Sequence, residues 1–148
     1  MELSKFLVKA KIATYASEGE VNERVLENGA KELTFEDHGF KYCDKYYGFN
    51  PFIGEEIVWK DNKIIWAMNY FGKILSDVVS EKKVYKFLQS AMRQVKEERP
   101  FRGPNNFKNG DFVYVDESTG DVHNFKGIEK ILFKGQEIYR LNYHGGSM

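Results

Sequence analysis

The chain has 148 residues, and its 22 lysines and arginines balance its 22 aspartates and glutamates. This length suits one domain over residues 1–148, with enough chain to bury a core. The balanced charge excludes a global electrostatic field that would recruit nucleic acid or an anionic membrane. We therefore expect neither nucleic-acid binding by this chain alone nor attachment to a membrane.

Cysteine content and hydropathy indicate the compartment. The single Cys43 cannot form an internal disulfide, and residues 1–5 lack the apolar core of a signal peptide. No apolar run approaches the roughly 20 residues that cross a bilayer. The sequence therefore predicts a soluble, cytoplasmic protein.

A first helix is predicted from Ser4, a suitable N-cap, to about Tyr15. Residues 17–29 show no clear period, and we make no prediction for them. The apolar residues of the helix fall on one stripe: Leu3, Phe6, Leu7, Ala10 and Ala13. Its lysines are expected to face solvent: Lys5, Lys9 and Lys11.

Two β-hairpins follow the helix. Alternating apolar residues predict the first around the turn Asp37–Gly39. The second has strands at Glu55–Lys60 and Lys63–Phe71, joined by Asp61-Asn62, a dipeptide typical of two-residue turns. The combination of alternation and turn residues favours strands over a helix here.

A second helix and three further strands complete the predicted elements. The helix is expected after Ser76 or Ser80 and before Pro100, and prolines and glycines predict a loop over Arg99–Gly110. The apolar stripe of the helix is Val84, Leu88, Ala91, Met92 and Val95. The three strands are expected at Asp111–Asp116, Val122–Phe133 and Gln136–His144.

The resulting element order, α-β-β-β-β-α-β-β-β, is typical of an α+β fold. We expect a curved antiparallel sheet of about seven strands, covered by the two helices. We find no internal repeat in the sequence that is strong enough to use.

Asn69 is the most unusual residue of the predicted sheet, because strands are depleted in asparagine and its neighbours are apolar and aromatic. A two-residue turn in the second hairpin places Gly54 opposite Asn69 and puts Glu56 on the same face, within hydrogen-bond reach. A carboxylate in apolar surroundings can have a raised pKa and serve in acid–base chemistry. Alternatively, Glu56 and Asn69 form a satisfied buried pair without a functional role, and Glu55 only solvates a strand end.

Two further polar residues are candidates for a site. Arg102 lies in a short loop between Phe101 and Gly103, a rigid mounting for a guanidinium that would bind carboxylate or phosphate. His144 ends the last predicted strand before two glycines and could serve in acid–base chemistry or ligand binding. Each also has an ordinary explanation: Arg102 could bond loop carbonyls, and His144 could be an exposed residue beside a flexible terminus.

Signals for metals and cofactors are weak. Asp121 and His123 share a predicted strand face, but no third ligand at a useful spacing accompanies them. No glycine-rich phosphate loop opens a helix. We therefore predict no metal site and no cofactor.

Five segments stand out in combination: Phe52–Trp59, Trp66–Gly72, Pro100–Pro104, Asn109–Tyr114 and Tyr143–Gly146. Together they resemble a bacterial and archaeal family of domains of unknown function. Members of that family occur alone or behind a helix-turn-helix DNA-binding segment of the Xre type, and no such segment is seen here. The resemblance implies a sensor or effector role in regulators, and it supplies no catalytic residues.

Three functions are consistent with these observations. The first is a binding module, in which a cleft beside the strand at residues 63–72 holds a small ligand or peptide. The second is a small enzyme that uses Glu56 or Glu55 as acid or base, with Arg102 and His144. The third is a structural or dimerising domain, with a second copy of the chain as partner. The candidate ligand-binding residues are Glu56, Trp66, Asn69, Tyr70, Arg102, Tyr143 and His144.

Overall fold

The structure, a computed structural model, describes residues 1–17 and 22–148. These residues form two helices and nine strands, so the predicted α+β class is confirmed while the predicted number of seven strands is wrong. The helices are α1 (Leu3–Ala13) and α2 (Glu81–Met92). The strands are β1 (Arg24–Val25), β2 (Lys31–Asp37), β3 (Phe40–Gly48), β4 (Phe52–Lys60), β5 (Lys63–Ile74), β6 (Asn106–Asn109), β7 (Phe112–Asp121), β8 (Asn124–Phe133) and β9 (Gln136–Ser147).

The two strands that the sequence did not predict lie at the edges of the sheet. β1 has only two residues, and β6 falls within the segment that prolines and glycines predict as a loop. Pro100 and Pro104 both precede β6, so neither removes a hydrogen bond from it. Edge strands this short contain too few residues for their alternation to be recognised.

The helices bury most of their predicted apolar stripes, but Ala13 is exposed, Val95 lies beyond the end of α2, and the ends of the helices differ from the predicted ones. α1 has Glu2 rather than Ser4 as its N-cap, without a side-chain capping bond. α2 begins after Ser80, whose hydroxyl accepts a hydrogen bond from the backbone N–H of Lys83 at 3.3 Å. Within the described ranges, no helix has the length and apolarity needed to cross a membrane.

The strands of the described residues form one open antiparallel sheet in the order β1-β2-β3-β4-β5-β9-β8-β7-β6. The chain builds the first half from edge to centre, passes through α2 to the opposite edge, and returns to the centre with β9. The two halves therefore meet at the β5–β9 pair. Both helices pack on one face, which we call the inner face, and the opposite face is the outer face.

The first half is α1 followed by a meander of five strands, β1 to β5, and the second half is α2 followed by a meander of four strands, β6 to β9. The two halves share short motifs in the same order, with β2 to β5 corresponding to β6 to β9. The repeat is hard to recognise from sequence alone because the shared strand residues are mostly alternate ones, separated by unrelated residues that point to the other face. The matching segments are Lys5–Ala10 with Lys86–Ala91, Phe40–Asp44 with Phe112–Asp116, Phe52–Glu56 with Phe125–Glu129, and Asn69–Gly72 with Asn142–Gly145.

The packing of the helices supports this internal repeat. The ring of Phe6 in α1 stacks on Phe40 with centroids 4.9 Å apart and an interplanar angle of 20°. The ring of Phe87 in α2 stacks on Phe112 at 4.9 Å and 21°. Equivalent residues therefore make equivalent contacts, so the chain is an internal duplicate built around a pseudo-twofold axis.

The axis passes through the centre of the sheet, where Tyr70 of β5 lies directly opposite Tyr143 of β9. Both tyrosines are buried on the inner face. Each stands over a glycine of the neighbouring strand, because a Cβ at Gly54 would lie 2.5 Å from the Tyr70 hydroxyl and one at Gly127 would lie 2.2 Å from the Tyr143 hydroxyl. The repeated glycines thus make room for the repeated tyrosines.

Candidate functional site

Among the residues that the structure describes, four carboxylates are buried on the inner face, two in each half. Asp44 of β3 lies directly opposite Glu56 of β4, and Asp116 of β7 lies directly opposite Glu129 of β8. Buried carboxylates are rare in proteins unless they are paired or used. The partners of each carboxylate therefore decide whether it belongs to a functional site.

The expected pair of Glu56 and Asn69 is wrong, because the register of the hairpin shifts by one residue at a β-bulge between Val58 and Trp59. Glu56 consequently lies opposite Met68 on the inner face. Asn69 lies opposite Glu55 and is exposed on the outer face. A shift of one residue moves every following side chain to the other face of a strand.

Glu56 instead forms a buried ion pair with Lys11 of α1, and the Tyr42 hydroxyl donates to the same carboxylate at 2.5 Å. Lys11 was expected in solvent, but its side chain is only 2% exposed. Burial lowers the pKa of Lys11, and the charge of Glu56 opposes that shift. Since both groups are satisfied by each other, Glu56 is a structural residue rather than a free acid or base.

Glu129 is the equivalent carboxylate of the second half, and Arg102 neutralises it. The Nε and Nη2 atoms of Arg102 donate to the two carboxylate oxygens at 3.1 and 3.0 Å, a bidentate geometry. The hydroxyls of Tyr114 and Tyr139 donate to the same group at 2.6 and 2.8 Å. Burial acts to lower the pKa of Arg102, but Glu129 raises it well above the usual value. Arg102 therefore stays charged.

Asp44 and Asp116 each accept one hydrogen bond from a central tyrosine: Tyr70 donates to Asp44, and Tyr143 donates to Asp116. Burial, followed by repulsion from the neighbouring glutamate, raises the pKa of both aspartates to about 7. The two aspartates differ in whether a cation lies nearby. Arg99 lies 3.5 Å from Asp116, whereas Asp44 has no cation within 4.0 Å among the described residues.

These raised pKa values predict a pH-dependent stability. The unfolded aspartates have a pKa near 3.9, so between about pH 4 and 7 the folded chain holds protons that the unfolded chain has lost. The free energy of unfolding should therefore fall as the pH rises through this window, by up to about 1.4 kcal/mol per pH unit for each aspartate.

Urea denaturation between pH 4 and 8 measures this dependence, and Asp44→Asn should reduce its slope. An asparagine can still accept from Tyr70 but carries no charge, so this variant should be more stable than the wild type at pH 8. The other charged groups near Asp44 are Glu56, Lys11 and Arg102, and all three remain in the variant. An unchanged slope in Asp44→Asn would contradict the assignment.

A cavity of about 740 Å³ opens beside Asp44, between α2 and the inner face of the first half. At its base lie Asp44, Tyr70 and Arg102. The guanidinium carbon of Arg102 is 5.4 Å from the centroid of the Tyr70 ring, and the hydroxyl of the same tyrosine donates to Asp44, so both charged groups interact with Tyr70. Five further aromatic residues line the cavity: Tyr15, Tyr46, Phe49, Phe52 and Tyr85. Three lysines also line it: Lys31, Lys82 and Lys86.

The outer face has a depression of about 840 Å³ over the same central strands. Asn69 and His144 lie directly opposite each other there, both exposed. Their neighbours include Ile53 and Phe71, which are also exposed. No buried charged group faces this depression, so the inner cavity is the stronger candidate for a site.

The structure does not bring the seven predicted site residues together. Tyr70 and Arg102 line the inner cavity. Asn69 and His144 lie on the outer face, across the sheet from it. The remaining three are buried in other contacts: Glu56 with Lys11, Tyr143 with Asp116, and Trp66, whose indole N–H donates to the Val122 carbonyl at 3.0 Å.

Asp44 and Tyr85 are cavity residues that the sequence did not single out. In the sequence, Asp44 is one member of an alternating strand, and nothing in its local surroundings distinguishes it. The repeated pattern Phe-x-Tyr-x-Asp at Phe40–Asp44 and Phe112–Asp116 is the signal that could have found it. Tyr85 carries no such signal, because a tyrosine on an amphipathic helix is ordinary.

Metal binding and thiol catalysis have little support in the described part of the chain. No cluster of three or more histidine, cysteine, aspartate or glutamate side chains suited to a metal ion is found there. Cys43 is half-buried, and burial raises the pKa of its thiol to about 11. It is therefore a protonated thiol at neutral pH and a poor nucleophile.

Comparisons with known proteins identify a family but no activity. The family DUF5680, described as a domain of unknown function, matches residues 44–148. This range begins at Asp44 and includes most of the first meander and all of the second half. Neither the curated proteins nor the solved structures provide a match.

Proposed function

We propose that this chain, which belongs to the DUF5680 family of domains of unknown function, is a small-molecule binding module whose site is the inner cavity beside Asp44. One observation carries the proposal. Asp44 is 3% exposed and has no cation partner among the described residues, yet it lies at the base of an open cavity. Burying a carboxylate in this way costs stability, and a ligand that pairs with it would recover that cost.

The shape of the cavity supports a small molecule rather than a peptide. Its volume of about 740 Å³ falls in the range of roughly 300–1,000 Å³ that drug-sized ligands occupy. Aromatic walls with a few polar groups at the base are the usual composition of such sites. The cavity also lies against Tyr70 of β5, on the inner side of the strand where we expected a cleft.

A sensor role is part of this proposal. α2 forms one wall of the cavity through Tyr85 and Gln89, and it is also the connection between the two halves of the sheet. A ligand that contacts both α2 and the first half would stabilise their packing. The sensor role that the sequence resemblance implies would then be served by a ligand-dependent change in the position of α2.

A thermal-shift screen of a metabolite library tests the binding proposal. We expect at least one compound to raise the melting temperature of the wild type and to lose that effect in Asp44→Asn. Asn69→Ala is the matched control, because Asn69 directly precedes the cavity residue Tyr70 in β5 but lies on the outer face of the sheet. This control should keep the response.

Two results would contradict the proposal. One is a wild type that no compound stabilises. The other is a ligand whose effect survives Asp44→Asn but disappears in Asn69→Ala, which would move the site to the outer face. Since Asp44→Asn is expected to be more stable than the wild type at pH 8, a lost response there cannot be explained by unfolding.

Catalysis is the second candidate, because a carboxyl group with a pKa near 7 suits general acid–base chemistry. Asp44 would be the acid or base in place of Glu56, which Lys11 neutralises. Incubating a screened ligand with the protein and following it by NMR distinguishes the two functions. Conversion that depends on Asp44 supports an enzyme, and an unchanged ligand supports a binding module.

A further inference from the structure

Phe52 and Phe125 occupy equivalent positions in the two halves of the internal repeat, but the aromatic rings around them are arranged differently. In the second half, the ring of Phe101 stacks on Phe125 with centroids 4.1 Å apart and an interplanar angle of 16°. In the first half, the equivalent ring is Phe52, and the rings nearest to it are Tyr70 and Tyr85, both at 5.9 Å and both tilted edge-on. A parallel ring, that of Tyr139, lies farther from Phe52, with centroids 6.5 Å apart and an interplanar angle of 19°. Among the described residues, no ring therefore stacks on Phe52 as closely as Phe101 stacks on Phe125, and Phe52 lines the inner cavity.

The equivalent aspartates, Asp44 and Asp116, also differ in their surroundings. Asp116 has the guanidinium of Arg99 within 3.5 Å, whereas Asp44 faces the cavity. Arg99 and Phe101 belong to one short segment of the loop before β6. The second half therefore supplies from its own chain a stacked flat ring and a guanidinium beside the aspartate, although Arg99 donates to the backbone carbonyl of Asp116 and the Asp116 Oδ2 atom accepts no hydrogen bond among the described residues. Among its described residues, the first half supplies neither a ring stacked as closely on Phe52 nor a cation within 4.0 Å of Asp44.

Arg102 adds a second polar group to the base of the cavity. Its Nε and Nη2 atoms are used by Glu129, and its Nη1 atom has no hydrogen bond within the described residues. Asp44, which accepts from the Tyr70 hydroxyl, offers an acceptor, and Arg102, whose guanidinium lies near the Tyr70 ring, offers a donor. A ligand edge that carries an N–H group next to a carbonyl complements this arrangement.

Lysines determine the charge around the cavity. Lys31 of β2 and Lys82 and Lys86 of α2 all contribute to its lining. Lys82 and Lys86 are one helical turn apart, so their side chains lie on the same face of α2. Their ammonium groups favour an anionic substituent on the ligand.

We propose that the cavity takes a flat nitrogen heteroaromatic ring with adjacent N–H and carbonyl groups and an anionic substituent, the chemistry of a guanine mononucleotide. The ring stacks on Phe52 as Phe101 stacks on Phe125. Its N–H edge bonds Asp44, its carbonyl bonds Arg102, and its phosphate contacts the lysines of α2. This inference rests on the proposed function, because it names the ligand class of the same cavity.

Isothermal titration calorimetry with GMP and guanosine tests this ligand class. We expect GMP to bind the wild type and guanosine to bind about tenfold more weakly, because it lacks the phosphate. Asp44→Asn should weaken both compounds by about tenfold or more. The double variant Lys82→Ala/Lys86→Ala should weaken GMP only. Lys83→Ala is the matched control, since Lys83 lies between them on α2 without lining the cavity, and it should leave both affinities unchanged.

The outcomes separate this inference from the proposed function. If GMP and guanosine do not bind while the metabolite screen yields another ligand that depends on Asp44, the ligand class is wrong and the binding module stands. If GMP binds equally well to Asp44→Asn, the inferred recognition of the ring is overturned. If neither GMP nor any screened compound binds, both proposals fail.

Discussion

Replacing Glu129 by glutamine is expected to lower the free energy of unfolding by about 3–5 kcal/mol. Glu129 is fully buried and receives hydrogen bonds from Arg102, Tyr114 and Tyr139. The glutamine retains much of the shape but removes the charge, so the buried guanidinium of Arg102 loses its counter-ion. Breaking one side of a buried ion pair leaves the other charge uncompensated, and this is among the most costly changes in a protein interior.

Urea denaturation of the variant and the wild type measures this loss, and Glu137→Gln is the matched control. Glu137 forms a bidentate ion pair with Arg140 at 2.9 and 3.0 Å, but the two side chains are 30% and 43% exposed. An exposed pair contributes only about 0–1 kcal/mol, so the control should change little. If the two substitutions lower the free energy of unfolding equally, the ion pair between Glu129 and Arg102 does not contribute the stability expected of a buried pair.

Replacing Lys11 by methionine is the second change with a large expected effect, again a loss of about 3–5 kcal/mol. The substitution leaves Glu56 buried without its cation. Methionine is a suitable test residue because α2 has Met92 at the equivalent position of its own helix. Its side chain fits this kind of helix–sheet contact, so the loss reports on charge rather than on packing.

A double variant separates the charge from other causes. Adding Glu56→Gln to Lys11→Met removes the stranded carboxylate and should restore a large part of the lost stability. Lys9→Met is the control on the same helix, because Lys9 pairs with Asp37 at the surface and should contribute about 0–1 kcal/mol. If the double variant is as unstable as the sum of the two single variants, the two side chains do not interact in the way described.

The sequence predicted the fold class because the signals for it are local. The hairpin around Asp61-Asn62 was found from its turn residues and its alternation, and β4 and β5 confirm it. Its register was not found, since the bulge between Val58 and Trp59 leaves no mark that sequence alone reveals. That single extra residue places Glu56 on the inner face, where it pairs with Lys11, and Asn69 on the outer face.

The proposed site could be predicted only in part, because it depends on contacts between distant segments. Arg102 and Tyr70 were named from unusual local surroundings, and both line the cavity. Asp44 is proposed as a site residue because it accepts from Tyr70 and has no cation within 4.0 Å among the described residues, and neither feature is visible in its own strand. The internal repeat would have identified it, but comparing the halves requires skipping every second residue in the strands.

A crystal structure of the chain with a ligand from the screen tests the central claim most directly. We predict ligand density in the inner cavity, with a ring against Phe52 and an N–H group within hydrogen-bond distance of Asp44. Density on the outer face beside Asn69 and His144, with the inner cavity holding only solvent, would contradict the claim.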